Sequence, residues 1–222
     1  NTLIRFGMKD EYTTIVNPVT GEFKDRGSKF IAYAFPVYTQ EDIQKAQEQV
    51  RKEHIKARHH CFGWRLGTDG NQYRANDDGE PSGTAGKPIL GQLDKQGLTN
   101  VMVIVVRYFG GTLLGASGLI NAYRNSTAIA LETAERVTKL VEDVYEIEFD
   151  YSIMSNVMNS LKKYSINVLN QEFAEVPMIR IAIRKNEVKA ILLKLKASIG
   201  GLRLEEIEEK TITAGLILRF SH

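Results

Sequence analysis

Hydrophobic and polar positions along residues 28–135 alternate between the period of strands and the period of helices. Residues 28–37 alternate and are rich in aromatic side chains, which is typical of a strand. Thr39 followed by Asp42 resembles a helix capping box with Asp in place of Glu or Gln. Residues 101–106 are apolar without interruption, which predicts a strand buried on both faces. The other predicted elements are a helix to about residue 56, strands at 59–66 and 72–75, and helices at 85–96 and 119–135.

Beyond residue 137 the pattern changes to short strands and two amphipathic helices. Their order is strand, helix, strand, strand, helix, strand, which is the ferredoxin-like split motif. The sequence therefore predicts an α+β protein with two domains, residues 1–138 and residues 139–222. In the second domain we expect strands at 140–150, 166–173, 178–184 and 202–208, helices at 152–164 and 186–199, and a further strand at 211–220.

The composition is that of an ordinary globular protein, with 43% hydrophobic and 25% charged residues, which excludes global disorder. Lys and Arg number 29 against 27 Asp and Glu, so the net charge is +2. Any attraction to a polyanion must then be local. The single cysteine, Cys61, excludes an intrachain disulfide. No apolar run approaches the ~20 residues of a membrane helix. We therefore expect a cytoplasmic protein that contacts no membrane.

Residues 76–88 form the densest chemical block, with three carboxylates followed by small residues that lead into a helix. The carboxylates are candidates to hold a cation or a basic partner, or to orient an arginine. The hydroxyls, with backbone N–H groups at the helix start, are candidates to hold an anion. The alternative is local turn and capping chemistry. The candidate binding residues in this loop are Asp77, Asp78, Glu80, Ser82 and Thr84, followed by Lys87 in the helix.

Residues 101–118 combine a strand, a glycine-rich turn and a helix, a layout that often holds phosphate. The glycine spacing matches neither the dinucleotide-binding pattern nor the P-loop pattern, and no lysine ends the turn. The alternative is that the glycines permit close packing of the backbone. Arg107 is a candidate to contact a phosphate or a carboxylate of residues 76–88. The other candidate binding residues here are Tyr108, Gly110, Gly111 and Gly115.

A third block contains Arg58, His59, His60 and Cys61. Two adjacent histidines on one strand point to opposite faces, so they are poorly placed to bind one metal together. The sequence contains no C-x-x-C or H-E-x-x-H motif. We therefore expect no metal, no cofactor and no catalytic constellation, and a buried, inert cysteine is favoured over a nucleophile. Arg58 and His60 remain candidates to contact phosphate or acidic side chains.

The first strand of the second domain has an acidic face that carries Glu142, Glu146 and Glu148. Because the helices must cover the apolar face, this acidic face should be open to solvent. A module that reads RNA bases would place aromatic and basic side chains there instead. Arg180 and Arg184, on another strand, are expected to pair with the acids. Base readout through this sheet is therefore disfavoured.

These blocks together resemble the YigZ/IMPACT family over roughly residues 12–135. The remainder resembles the C-terminal domain of bacterial members. The resemblance implies a first domain with the fold shared by domain IV of elongation factor G and a ribosomal protein, and a second domain similar to domain V of that factor. It also implies a link to translation, which eukaryotic members regulate. The resemblance is carried by residues 27–31, 57–61, 77–88 and 107–115, and by Gly118, Leu119, Ala122 and Tyr123.

The leading functional hypothesis is a non-enzymatic module that binds RNA, the ribosome or a translation-associated protein. Its binding face would combine residues 76–88, residues 107–115 and the basic residues near them. One alternative is an enzyme or binder that acts on a phosphorylated small molecule, with phosphates held at residues 110–118 and magnesium at Asp77 or Asp78. Another alternative is a protein-interaction scaffold. All three require that the two glycine-rich blocks meet at one open surface.

Overall fold

The computed structural model describes residues 10–207 and 213–221, and it divides into two compact units. The first unit contains residues 11–139, and the second contains residues 140–207 and 213–221. Each unit combines helices with antiparallel strands. The predicted α+β class is confirmed.

The first unit is built on a five-stranded antiparallel sheet with the order β2-β3-β6-β4-β5. Its strands are β2 (Val19–Asp25), β3 (Ser28–Pro36), β4 (His59–Leu66), β5 (Gln72–Asn76) and β6 (Val101–Tyr108). Its helices are α1 (Gln40–Glu53), α2 (Gly86–Lys95) and α3 (Gly115–Glu132). A separate two-stranded sheet pairs β1 (Glu11–Ile15) with β7 (Arg136–Leu140).

The central strand β6 is covered on both faces, as its apolar run predicts. Val103 and Val105 belong to a core that α2 and α3 complete, whereas Met102 and Ile104 belong to a core that α1 completes. Successive residues of a strand point to opposite faces, so an uninterrupted apolar run supplies both cores. The helices therefore lie on opposite sides of the sheet, with α2 and α3 together on one side.

Two local predictions have different outcomes. The capping box of α1 is confirmed: the Thr39 hydroxyl accepts the Asp42 N–H at 3.1 Å, and the Asp42 carboxylate accepts the Thr39 N–H at 3.0 Å. The predicted start of α3 near residue 119 is wrong, because the helix begins at Gly115. Leu114 directly precedes the helix, and its buried side chain packs into the core of the first unit. Residues 115–118 of the glycine-rich stretch therefore belong to the helix.

The strand β2 is missed by the hydrophobic pattern because it lies at the edge of the sheet with alternate residues exposed. Its third residue, Gly21, packs against the backbone of Ala130 on α3, where an added Cβ would lie 2.5 Å from the Ala130 nitrogen. In a sequence, a glycine within a polar run usually predicts a turn. In this strand the glycine instead allows the backbone of α3 to approach closely.

The second unit has the ferredoxin-like order β8-α4-β9-β10-α5-β11 and the sheet order β11-β8-β10-β9. This confirms the predicted β-α-β-β-α-β motif. Its strands are β8 (Glu142–Phe149), β9 (Asn167–Phe173), β10 (Pro177–Arg184) and β11 (Leu216–Phe220), and its helices are α4 (Met154–Lys163) and α5 (Val188–Gly200).

The predicted strand at 202–208 is wrong over the part that is described. Gly201 ends α5 in the left-handed conformation, and Leu204–Glu206 form a 3₁₀ turn. The Glu206 carboxylate closes that turn by accepting the Arg203 N–H at 3.0 Å. The fourth strand is β11, within the further strand predicted at 211–220, and residues 208 and 211–212 lie outside the described residues.

The solvent-facing side of the second sheet carries ion pairs, as its sequence pattern indicates. Arg180 donates to Glu146 at 2.8 Å, and Arg219 donates to Glu148 at 3.0 Å. Arg184 lies opposite Glu142 in the strand register. Opposite charges that face each other across neighbouring strands neutralise this surface.

Candidate functional site

The two glycine-rich blocks meet through a buried ion pair between Arg107 and Glu80. The Arg107 Nη1 donates to both Glu80 carboxylate oxygens, at 2.8 and 3.0 Å. The side chains are only 7% and 3% exposed. The expected contact between Arg107 and a carboxylate of residues 76–88 is therefore present. Of the two roles expected for Glu80, the structure shows that of orienting Arg107. Neither side chain faces a partner, because each satisfies the other inside the protein.

Tyr123 and Cys61 extend this network beneath the loop. The Tyr123 hydroxyl donates to Glu80 Oε1 at 2.7 Å, and the Cys61 thiol lies 2.9 Å from the Asp77 carbonyl oxygen. Burial raises the pKa of Cys61 well above the usual range of a thiol. The thiol therefore stays protonated and serves as a hydrogen-bond donor, in agreement with the expected buried, inert cysteine.

Aromatic rings enclose the Arg107 guanidinium. The Phe30 and Phe109 ring centroids lie 5.5 and 5.6 Å from its central carbon, within cation–π range. Its Nε is buried and has no hydrogen-bond partner within the described residues. Arg107 thus ties the sheet, the loop at 76–88 and the turn after β6 to one another.

Asp77 does not present its carboxylate to a partner, contrary to expectation. One oxygen accepts the N–H groups of Ala85 and Gly86 at 3.0 and 2.8 Å, and the other accepts the Gly83 N–H at 2.8 Å. These donors surround the start of α2, so the anion that this helix start holds is Asp77 itself. Thr84 is buried, and its hydroxyl donates to the Pro81 carbonyl at 2.6 Å. The alternative of local turn and capping chemistry is therefore the better description: Asp77 caps the start of α2, whereas Thr84 closes the turn at Pro81 and does not cap the helix.

The hydrogen bonds to Asp77 predict an acid-sensitive fold. Desolvation raises the pKa of Asp77, but the backbone N–H groups of Gly83, Gly86 and Ala85, together with Lys87, outweigh it and hold the pKa below 3.8. A lowered pKa in the folded state means that stability is present above pH ~4 and is lost as the pH falls through the folded pKa.

We expect urea unfolding to show a decrease in the free energy of unfolding of the native chain between pH ~5 and pH ~3, and a flatter profile for Asp77→Asn. That variant should also lose roughly 1–2 kcal/mol at neutral pH, since its amide nitrogen cannot accept an N–H. Equal pH profiles for the two proteins would contradict this role of Asp77.

Asp78 and His60 are also engaged within the protein, so neither is presented as expected. The Asp78 carboxylate accepts the His60 backbone N–H at 2.7 Å and lies 3.6 Å from the Arg51 guanidinium. His60 is buried, and its Nε2 hydrogen-bonds with the His54 carbonyl at 3.2 Å. Burial lowers the pKa of His60, and the positive charge of Arg51 lowers it further. A neutral, buried imidazole is a poor phosphate ligand.

The remaining candidates reach the surface to different extents. Tyr108 is half-buried, and its hydroxyl hydrogen-bonds with the His54 Nδ1 at 2.8 Å. The exposed candidates are Arg58, Ser82, Lys87, Gly110, Gly111 and Gly115. The structure therefore brings the two motif blocks together as predicted, but it buries Arg107 and Glu80, which were expected to line one open surface, and leaves Lys87 exposed.

An open cleft of about 560 Å³ lies between α2 and α3 and is lined by cations. Lys87, Lys95 and Arg124 contribute three positive charges, and none of its lining residues is acidic. We call this the cationic cleft; its lining residues are Gly83, Lys87, Pro88, Gly91, Gln92, Lys95 and Arg124. The sequence pattern identified Lys87 only. Lys95 and Arg124 are isolated in the sequence, although the absence of any Asp or Glu from residues 101–131 is visible there.

The described residues contain no cluster of three or more His, Cys, Asp or Glu side chains arranged to hold a metal ion. Over the same part of the chain, no helix combines the length and apolar composition that a membrane span requires. The magnesium site considered at Asp77 is inconsistent with the geometry, because backbone N–H groups occupy both carboxylate oxygens.

The fold and the cationic cleft define a two-domain α+β protein with a basic surface on its first domain. Residues 26–131 match the model of the Impact N-terminal domain. The chain is 36% identical to the IMPACT family member YigZ of Escherichia coli, covering 86% of this chain and 96% of that protein. It is 34% identical to an IMPACT family member of Haemophilus influenzae, covering 90% and 99%. The chain belongs to the IMPACT family.

Solved structures give the same relationship. A crystal structure of a hypothetical protein is similar to this chain with a TM-score of 0.63 and 31% identity, covering 91% of this chain and 100% of that one. The two-domain translational regulator Yih1 matches 55% of this chain and 47% of its own at 26% identity, with a TM-score of 0.33.

Proposed function

We propose that this protein is a non-enzymatic, cytoplasmic RNA-binding module that regulates translation, and that its cationic cleft contacts RNA phosphates. The observation that carries the proposal is the convergence of Lys87, Lys95 and Arg124 on one cleft with no acidic lining residue. With a whole-chain charge of only +2, such a local concentration of positive charge is the electrostatic footprint that nucleic-acid binding requires. The link to translation is the one that the resemblance to the IMPACT family implies, and the chain belongs to that family.

The chemistry of the cleft suits the binding of phosphate. Lysine acts as a point charge, whereas arginine presents a planar fork that binds two oxygens of one phosphate. The cleft offers both kinds of donor and is open to solvent, so a continuous backbone can pass through it. Contacts of this kind fix the position of an RNA without reading its sequence.

We expect the double variant Lys87→Gln/Arg124→Gln to bind ribosomal RNA fragments and ribosomes more weakly than the native protein. Loss of two phosphate contacts should reduce the slope of log affinity against log salt by about 2, because fewer counterions are released. Fluorescence anisotropy over a salt series measures the slope, and co-sedimentation with ribosomes at low salt tests the larger partner.

The matched control is Lys45→Gln/Lys162→Gln, which removes the same charge outside the cleft and should retain the native slope. An equal loss of RNA affinity in both double variants would mean that net charge, and not the cationic cleft, is responsible. Absence of RNA binding by the native protein at low salt would overturn the proposal. Nuclease-insensitive co-purification of one protein would instead favour a protein scaffold, and stabilisation by nucleotide with magnesium would favour a small-molecule activity.

A further inference from the structure

The turn after β6 presents two large apolar side chains to solvent. Phe109 is 60% exposed and Leu113 is 82% exposed. Between them lie Gly110, Gly111 and Thr112, which are also exposed. We call residues 109–114 the Phe109 loop. Phe109 contacts the Arg107 guanidinium on its inner side, and none of the interactions described above uses Leu113.

The base of this loop is held rigidly, although its tip is exposed. The Gly110 N–H donates to the Ser28 hydroxyl at 3.2 Å, and its backbone packs directly against that of Gly27. On the inner side, the Arg107 guanidinium lies 5.6 Å from the Phe109 ring centroid. A ring fixed in this way loses little conformational freedom when a second planar group stacks on it.

The surroundings of the loop are basic. Arg58 directly precedes β4, whose His59 pairs with Arg107 at the end of β6. Arg26 precedes Gly27 in the turn that contacts the loop. Both arginines are exposed, and neither forms an ion pair within residues 10–207 and 213–221. Residues 107–118 contain no carboxylate.

The loop also lies at one end of the helix that lines the cationic cleft. The helix α3 begins at Gly115, and Arg124 follows nine residues later, which corresponds to about 14 Å along the helix axis. Exposed aromatic rings combined with a basic surface are the features that bind single-stranded nucleic acid, because bases stack on the rings while cations follow the backbone.

We propose that the Phe109 loop is a base-stacking site for single-stranded RNA, with Phe109 as the platform and Arg26 and Arg58 contacting the flanking phosphates. This inference rests on the proposed RNA-binding function and specifies its ligand as unpaired RNA. A protein partner would use the same apolar side chains but has no need of the two unpaired arginines beside them. The charge around the loop therefore favours RNA.

The test compares a short oligouridylate with an abasic oligonucleotide that has the same number of phosphates. The native protein should bind the oligouridylate about tenfold more tightly, which is the range expected for one stacked base. Phe109→Ala should bind both ligands alike, and Phe109→Tyr should restore the preference. Lys87→Gln/Arg124→Gln should bind both oligonucleotides more weakly and keep the ratio of the two affinities.

Each outcome bears on one proposal. Equal affinity of the native protein for the two oligonucleotides, or an unchanged preference in Phe109→Ala, would overturn base stacking and leave RNA binding intact. Absence of binding to either oligonucleotide would overturn the proposed function and stacking together. Because Phe109 is largely exposed, Phe109→Ala should stay folded, and circular dichroism checks this. Loss of a protein partner with normal RNA binding would reassign the loop to protein docking.

Discussion

Replacing Glu80 with glutamine is expected to lower the free energy of unfolding by about 3–5 kcal/mol. The Arg107 guanidinium would then remain buried, 7% exposed, without the carboxylate that neutralises it. Tyr123 would at the same time lose a charged acceptor for its hydroxyl. Urea unfolding followed through Trp64, the single tryptophan and a buried one, measures the change.

Two further variants make the Glu80 prediction specific. Glu41→Gln breaks an exposed ion pair with Lys45 and should leave stability almost unchanged. The double variant Glu80→Leu/Arg107→Met removes both buried charges and should regain most of the loss, since apolar side chains of similar volume often replace a buried pair without penalty. A loss below about 1 kcal/mol in Glu80→Gln would mean that the guanidinium reaches solvent or another acceptor.

Gly110→Ala is expected to cost about 3 kcal/mol, at the upper end of what overpacking usually costs. A Cβ at this position would lie 1.9 Å from the carbonyl carbon of Gly27 and 2.2 Å from the Ser28 nitrogen. Both are backbone atoms of the turn between β2 and β3, so no side-chain rotation relieves the clash. The turn and the Phe109 loop must separate, and the urea midpoint should fall accordingly.

Gly91→Ala is the matched control for this substitution. Gly91 lies inside α2 with no atom within 4 Å of the added methyl. Alanine should therefore stabilise the helix by roughly 0.5–1 kcal/mol. Opposite signs at the two glycines would establish that close backbone contact, rather than the glycine type, is what residue 110 provides. A Gly110→Ala protein with the native urea midpoint would contradict the contact.

Together these predictions separate the residues that hold the motif blocks together from the surface that we propose binds RNA. The charged groups of Glu80, Arg107 and Asp77 form their ion pair and hydrogen bonds with other groups of the protein. Lys87 and Phe109, which stand beside them in the sequence, face outward. The internal ion pair fixes the loop and the turn, and the fixed backbone then presents these side chains to solvent. We therefore expect stability to depend on the first group and RNA affinity on the second.

Most of the fold of the second domain could be predicted from the sequence. Periodicity indicated five of its six core elements within a few residues, because each buries one regular apolar face. It failed after α5, where Gly201 and the Arg203–Glu206 turn interrupt the chain before the last strand. Such turns depend on single side-chain contacts, which leave no periodic signal.

The sequence by itself determined the family and the mixed α+β class, and it predicted the contact between residues 76–88 and 107–115, because apolar spacing and motif order are local properties of the chain. Only the tertiary structure decided which of their charges are available. A glutamate that is exposed to solvent and a glutamate that pairs with a buried arginine cannot be told apart in the sequence. Whether a side chain is buried depends on the residues that the fold packs around it. The cationic cleft arises in the same way, because Lys87, Lys95 and Arg124 become neighbours only when α2 packs beside α3.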